Sequence, residues 1–106
     1  MMYSLQKTKT IGNNGMINLP KKWVAEFGFH LGELVEIRIQ NREIWISHYQ
    51  EETTENVRYI TARQNVSIPS EIRNLLNLDK GNKLKLYVEP NEKSFVFIPI
   101  DKNGSS

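Results

Sequence analysis

The stretch Ile17-Asn18-Leu19-Pro20-Lys21-Lys22 returns, changed in its side chains but not in its pattern, as Val66-Ser67-Ile68-Pro69-Ser70-Glu71. In both, apolar residues flank a polar one, the period of a half-buried strand. Proline follows each time; it cannot continue a strand, but its fixed φ and missing N–H suit the first turn of a helix. The displacement between the two, 49 positions from Ile17 to Val66, holds without a gap to the pair Ile39 and Val88. The chain is therefore organised as two copies of one small unit. Each copy, at about 45 residues, is near the limit below which a chain cannot bury enough apolar surface to fold alone.

Outward from the first copy of the stretch, residues 3–11 read as a strand in which Tyr3, Leu5 and Ile11 mix with Gln6, Lys7 and Lys9. Gly12-Asn13-Asn14-Gly15 stops it with residues that favour turns or tolerate positive φ. On the other side, a helix is predicted from Pro20 to Phe27 with Trp23 and Phe27 one turn apart on one face. Gly28 supplies the left-handed residue that ends a helix, and Phe29 folds back as a hydrophobic clasp. After a turn at His30-Leu31-Gly32-Glu33, the residues Val35, Ile37 and Ile39 alternate with Glu36, Arg38 and Gln40 as a strand. Asn41-Arg42 reverses the chain and Glu43-Ile44-Trp45-Ile46-Ser47 returns antiparallel, with Trp45 out of phase with Ile44 and Ile46.

The second copy keeps the backbone requirements while changing the side chains. Asn77 replaces Gly28 at the left-handed position, Leu78 replaces Phe29 and Gly81 replaces Gly32. Ile72, Leu75 and Leu76 are expected to make the helix face, and Leu84, Leu86 and Val88 the strand. The turn at Glu89-Pro90-Asn91-Glu92-Lys93 is two residues longer than its counterpart, before Phe95-Val96-Phe97-Ile98. The expected organisation is a first repeat at 1–49, a polar linker at 50–56, a second repeat at 57–100 and a disordered tail at 101–106. Each repeat is strand, strand, short helix, strand, strand, and the two share one mostly β barrel.

Composition narrows the function. Cysteine is absent, so there is no disulfide framework and no thiolate metal site; this suits a cytoplasmic protein. Neither a signal-peptide core nor a run of membrane-spanning length is present, so no membrane is expected as a partner. No nucleophile–base pair, Walker loop or dinucleotide fingerprint occurs, and His30 and His48 lie in no ligand cluster; an enzyme, a bound metal and a cofactor are not expected. The net charge is only +2, but it is unevenly spread: residues 1–25 hold Lys7, Lys9, Lys21 and Lys22 and no acid, while Glu51, Glu52 and Glu55 crowd between the repeats. A basic face on a nearly neutral protein fits an anionic partner, or an edge strand that lysines keep from aggregating.

The run Gly15-x-Ile17-x-Leu19-Pro20-Lys21, a short helix, then Phe27-Gly28-Phe29-x-x-Gly32-Glu33-x-Val35-Glu36-Ile37 resembles the AbrB/SpoVT family of swapped-hairpin DNA-binding domains, which includes MazE-type antitoxins. The second copy, from Val66-Ser67-Ile68-Pro69 through Arg73 to Leu76-Asn77-Leu78-x-x-Gly81, resembles it too. The resemblance implies a swapped-hairpin β-barrel, normally closed by two chains and here formed as a pseudo-dimer, either as a monomer or with further exchange in a homodimer. It implies double-stranded DNA as partner and transcriptional regulation as role. The DNA-binding residues it implies are Lys7, Lys9, Asn13, Asn14, Lys21 and Lys22 in the first copy, and Arg58, Arg63, Gln64, Asn65 and Arg73 in the second. Lys and Arg neutralise phosphates, while Asn, Gln and Arg can read base edges.

The sequence departs from the family pattern in three places. Met16 stands where a basic or amide residue is usual after the loop glycine, the loop at 61–65 has no glycine, and Val24 stands where the second copy has Arg73. The two DNA surfaces should therefore be unequal. The alternative is a protein-interaction module holding a toxin or antirepressor; against the toxin version, few residues follow the last expected strand.

Overall fold

The first strand of each repeat leaves its own repeat and pairs with the other. The computed structural model describes residues 1–51 and 56–100. In chain order the elements are β1 (Tyr3–Thr10), a 3-10 turn (Asn13–Gly15), β2 (Met16–Asn18), α1 (Lys21–Glu26), β3 (Leu34–Gln40), β4 (Glu43–His48), β5 (Asn56–Tyr59), β6 (Asn65–Ser67), α2 (Ser70–Leu75), β7 (Lys83–Glu89), a second 3-10 turn (Pro90–Glu92) and β8 (Ser94–Pro99). Part of the expected linker (52–55) and the expected tail (101–106) lie outside the described residues. No helix among the described residues is long and apolar enough to cross a membrane.

One sheet of six antiparallel strands runs β1-β7-β8-β4-β3-β5, and β2 pairs with β6 in a separate ribbon. Under the displacement seen in the sequence, β1 corresponds to β5, β3 to β7 and β4 to β8, so the strand order reads the same from either edge. The register obeys the same rule. Lys9 lies opposite Leu84 and its counterpart Arg58 opposite Val35. Just beyond those strands, the Ile11 N–H donates to the Asn82 carbonyl (2.9 Å) and the Ile60 N–H to the Glu33 carbonyl (3.0 Å). The pseudo-two-fold axis passes through Ile17 opposite Val66 in the ribbon and Trp45 opposite Val96 in the sheet. The mostly β, exchanged-hairpin barrel expected from the sequence is the observed architecture, closed within one chain.

The helices are short and held by their neighbours. Pro20 stays extended (φ −69°, ψ 125°) and precedes the helix it was expected to begin; its carbonyl accepts from the Trp23 and Val24 N–H groups (3.1 and 3.0 Å). Pro69 does the same for Ile72 and Arg73. Both helices end on a left-handed residue, Gly28 (φ 77°) and Asn77 (φ 57°). Past these the Phe29 N–H bonds the Val24 carbonyl (3.0 Å) and the Leu78 N–H the Arg73 carbonyl (2.8 Å), satisfying groups that a helix end would otherwise orphan. Six-residue helices are not stable alone in water, and each is pinned by apolar residues: Val24 and Phe27 on one side, Ile72 and Leu76 on the other. Leu75, expected on this face, is instead 69% exposed. With Ile72 and Leu76 taking the i, i+4 positions, Leu75 is rotated away from the core.

Every apolar strand contributes to one core. Ile11, Ile17, Leu19, Ile37, Ile44 and Ile46 of the first repeat meet Ile60, Ile68, Leu84, Leu86, Phe95 and Phe97 of the second, all fully buried. Phe95 packs against Phe27 and Phe29 (ring centroids 5.5 and 5.7 Å), so the last strand of one repeat fastens the helix end of the other. His48 stacks on Phe29 at 3.9 Å, and its Nε2 donates to the Phe27 carbonyl (2.8 Å), which fixes the tautomer and makes the histidine structural. Trp45, out of phase with the core residues, is nonetheless buried. It lies on the opposite face of the sheet, where the Arg38 guanidinium covers its ring at 5.2 Å and its Nε1 donates to Glu43 (3.1 Å).

Because the exchange is intramolecular, the unfolding midpoint should not move when protein concentration changes by about a hundredfold, whereas a dimer held by exchanged hairpins must gain stability by mass action. Thermal melts across that range, with the solution mass measured at each end, check this; a midpoint that climbs with concentration would place the exchange between chains.

Candidate nucleic-acid interface

The β2–β6 ribbon lies on the pseudo-two-fold axis and presents alternate residues to solvent. Ile17 and Val66 point into the core, and the period of two turns Met16, Asn18, Asn65 and Ser67 outward. Asn18 and Asn65 lie opposite one another at one end of the ribbon, Met16 and Ser67 at the other.

At the first end the side chains form a connected group. Asn18 Nδ2 donates to Asn65 Oδ1 (2.9 Å) and to the Arg63 carbonyl (3.1 Å), and Lys9 Nζ donates to Asn18 Oδ1 (3.3 Å). The loop carrying Arg63 and Gln64 is tied to the chain entering α1, since the Leu19 N–H donates to the Gln64 carbonyl (2.8 Å). Within the loop, Thr61 Oγ1 accepts from the Arg63 and Asn65 N–H groups (3.3 and 3.0 Å). Burial, and then the neighbouring Lys7 ammonium, hold Lys9 below the ordinary lysine value. Among the described residues no carboxylate takes part in this group. Lys21 and Lys22 are exposed in the first turn of α1, and Lys22 Nζ lies 5.8 Å from the centre of the Trp23 ring.

At the second end, the Asn14 carbonyl accepts from Ser67 Oγ (2.8 Å) and the Gly15 carbonyl from the Ile68 N–H (2.9 Å). Asn13 and Asn14 are exposed beside the start of α2. Arg73 is half-buried, and its Nε donates to the Ile68 carbonyl (2.9 Å). A Cβ built on Gly15 would lie 2.5 Å from Arg73 Nε and 2.8 Å from the Ile68 oxygen, and φ at Gly15 is +76°. Gly15 is thus needed twice over, for its dihedral and for the space the arginine fills. The counterpart pair at the other end is Gln64, also left-handed (φ 59°), and the buried Val24. Where one end combines glycine with arginine, the other combines glutamine with valine.

Of the residues expected at a DNA surface, Lys9, Arg63, Gln64 and Asn65 gather at one end, with Lys7 beside Lys9 on β1. Asn13, Asn14 and Arg73 gather at the other. Arg58, the counterpart of Lys9, is half-buried with one guanidinium nitrogen donating to the Val57 carbonyl (2.7 Å). Arg73 also supports the loop around Gly15 through its Nε–H. Asn18 is the residue that sequence reading missed; its signal was its place between two buried positions, directly across the ribbon from Asn65. Among the described residues no group of His, Cys, Asp and Glu could hold a metal ion.

A protein-family model described as "Antidote-toxin recognition MazE, bacterial antitoxin" matches the chain twice, over residues 8–54 and 60–105. Among solved structures, the solution structure of PHS018 from Pyrococcus horikoshii is similar. It aligns over 88% of this chain and 87% of that one, with a TM-score of 0.52 and 18% sequence identity, a likeness of fold. No curated protein sequence matches at a significant level.

Two outcomes are expected from this geometry. Gly15→Ala should lower stability by about 2–4 kcal/mol, from the left-handed strain and the overlap with a backbone oxygen that cannot step aside, while Gln64→Gly should cost little; chemical denaturation distinguishes them. Lys9 has a folded pKa below its unfolded value, so its charge opposes folding at every pH below the folded value, and that cost fades as pH rises through it. Lys9→Ala should therefore leave the melting temperature at neutral pH unchanged or slightly higher; a fall beyond about 4 °C would mean that the lysine supports the fold.

Proposed function

The chain belongs to the MazE antitoxin family, and on that premise we propose that it is a double-stranded DNA-binding transcriptional regulator of the AbrB type that uses the outward face of the β2–β6 ribbon and the loops flanking it. Membership itself supports a DNA-binding or antitoxin role in general, in a family that is normally cytoplasmic and non-enzymatic. The observation that carries the finer reading is the group formed by Lys9, Asn18, Arg63 and Asn65. The Lys9 ammonium and two amides are brought together there from both repeats on a two-stranded ribbon, with exposed Arg63 joined to them through its backbone carbonyl. A two-stranded ribbon fits the major groove of B-DNA, where amide side chains can read base edges. Lysine and arginine at its margins neutralise phosphates and fix the register. The depressed Lys9 ammonium belongs to the same picture, because an arriving phosphate restores the favourable surroundings that burial removes.

A second reading has its own observation. Leu75 is exposed beside Ile39 and Ile72 in a shallow groove bordered by Arg38 and Glu71. At the equivalent place near α1, Trp23 replaces Ile72 and Glu26 replaces Leu75. An antitoxin-type protein partner would find an apolar foothold on α2, away from the ribbon.

Binding to duplex DNA should weaken steeply with salt, log affinity falling against log salt with a slope of about −4 to −6 if four to seven phosphates are neutralised. The double variant Lys9→Ala, Lys21→Ala should bind more weakly with a shallower slope and keep the parent melting temperature. Fluorescence anisotropy on labelled duplexes measures both, and a folded protein that shows no binding, or a flat salt response, sinks this reading. Leu75→Glu should leave these values alone and remove only a protein partner.

A further inference from the structure

Strand exchange decides which charges stand together. At the ribbon end marked by Asn18 and Asn65, β1 brings Lys7 and Lys9, the loop of the second repeat brings Arg63, and the chain leaving β2 brings Lys21 and Lys22. Lys7 is close enough to depress the Lys9 ammonium, and the remaining contacts are the hydrogen bonds given above. The displacement that relates the repeats assigns each of these five cations a counterpart at the Met16–Ser67 end: Asn56, Arg58, Asn14, Ser70 and Glu71. Four of the five are not basic and one is an acid. The additional cation at that end, Arg73, is half-buried and has its Nε committed to the Ile68 carbonyl.

The outward side chains differ in the same sense. One end carries the linked amides Asn18 and Asn65; both Nδ2 hydrogens of Asn18 are taken by Asn65 Oδ1 and the Arg63 carbonyl, so the Asn65 amide nitrogen is the donor left to meet a base edge. The other carries Met16, a flexible apolar side chain, and Ser67, whose hydroxyl donates to the Asn14 carbonyl, with the exposed amides of Asn13 and Asn14 beside them.

We infer that the two ends of the ribbon engage DNA unequally, the Asn18–Asn65 end anchoring more phosphates than the Met16–Ser67 end, so that the target is a non-palindromic duplex held chiefly through one half. This rests on the DNA-binding reading above and adds an orientation to it. Each neutralised phosphate changes the salt slope by about 0.9, so the two ends differ in a measurable way.

Three preparations test it: the parent, Lys21→Gln with Lys22→Gln, and Ser70→Lys with Glu71→Lys, the last giving the weak end the residues of the strong one. All four positions are exposed in the first turn of a helix, and thermal melts confirm folding. Selection from a random duplex pool should return a non-palindromic consensus. On that duplex the first variant should lose about tenfold or more in affinity, with a slope shallower by about 2. The second should gain about 2 in slope and bind a palindrome made from two strong halves more tightly than the parent does. A palindromic consensus for the parent, or equal protection of both halves in a footprint, overturns the inference while leaving DNA binding intact. Folded protein that binds no duplex overturns both.

Discussion

Each repeat leaves one sheet edge for the other to cover: β3 has to be paired by β5 of the second repeat, and β7 by β1 of the first. That requirement underlies the rest of the structure. It forces the chain to cross between halves, and it brings Ile11 and Ile60 into the core beyond the ends of the exchanged strands. It also places β2 against β6 on the axis, because both strands follow directly from the exchanged ones. The ribbon that carries the candidate DNA surface is thus a by-product of closing the barrel. Backbone hydrogen bonds left open in a buried sheet would cost more than the crossing does.

The repeat made much of this legible in the sequence. A shared displacement, a proline after each short strand and a left-handed residue at each helix end describe backbone geometry that side-chain replacement did not disturb, so Asn77 could be read from Gly28. Three features were not readable in that way. Which strand β1 pairs with depends on long-range edges, and only the family resemblance supplied it. Leu75 matched an apolar spacing, but a six-residue helix offers the core just one i, i+4 pair; Glu26 at the equivalent position was the sign that this site faces water. Trp45 was correctly out of phase with the core, yet it is buried because the far side of the sheet near the axis is itself covered, with Arg38 lying on the ring. Alternation says which face a residue takes and nothing of what lies over that face.

The candidate site divides along the same line. Lysine and asparagine in the loops were visible as residue types, but their grouping was not, since Arg63 reaches the first repeat across the β2–β6 ribbon. Arg73 shows the converse. Its Nε–H is held against a backbone carbonyl in the space above Gly15, so one donor of a basic residue serves the loop.

The exchange of partners between Gly15 with Arg73 and Gln64 with Val24 has a meaning for how such a protein changes over generations. In a barrel closed by two identical chains, a single codon alters both symmetric positions at once, so a bulky residue accepted at one site is imposed on the other. Here the two positions are inherited independently. A replacement at one can be compensated locally, leaving its twin untouched, and the molecule can acquire the features of a heterodimer without having to choose the right partner during assembly. Fusing the two halves into one reading frame thus converts a symmetry that mutation had to respect into one that it can break a residue at a time.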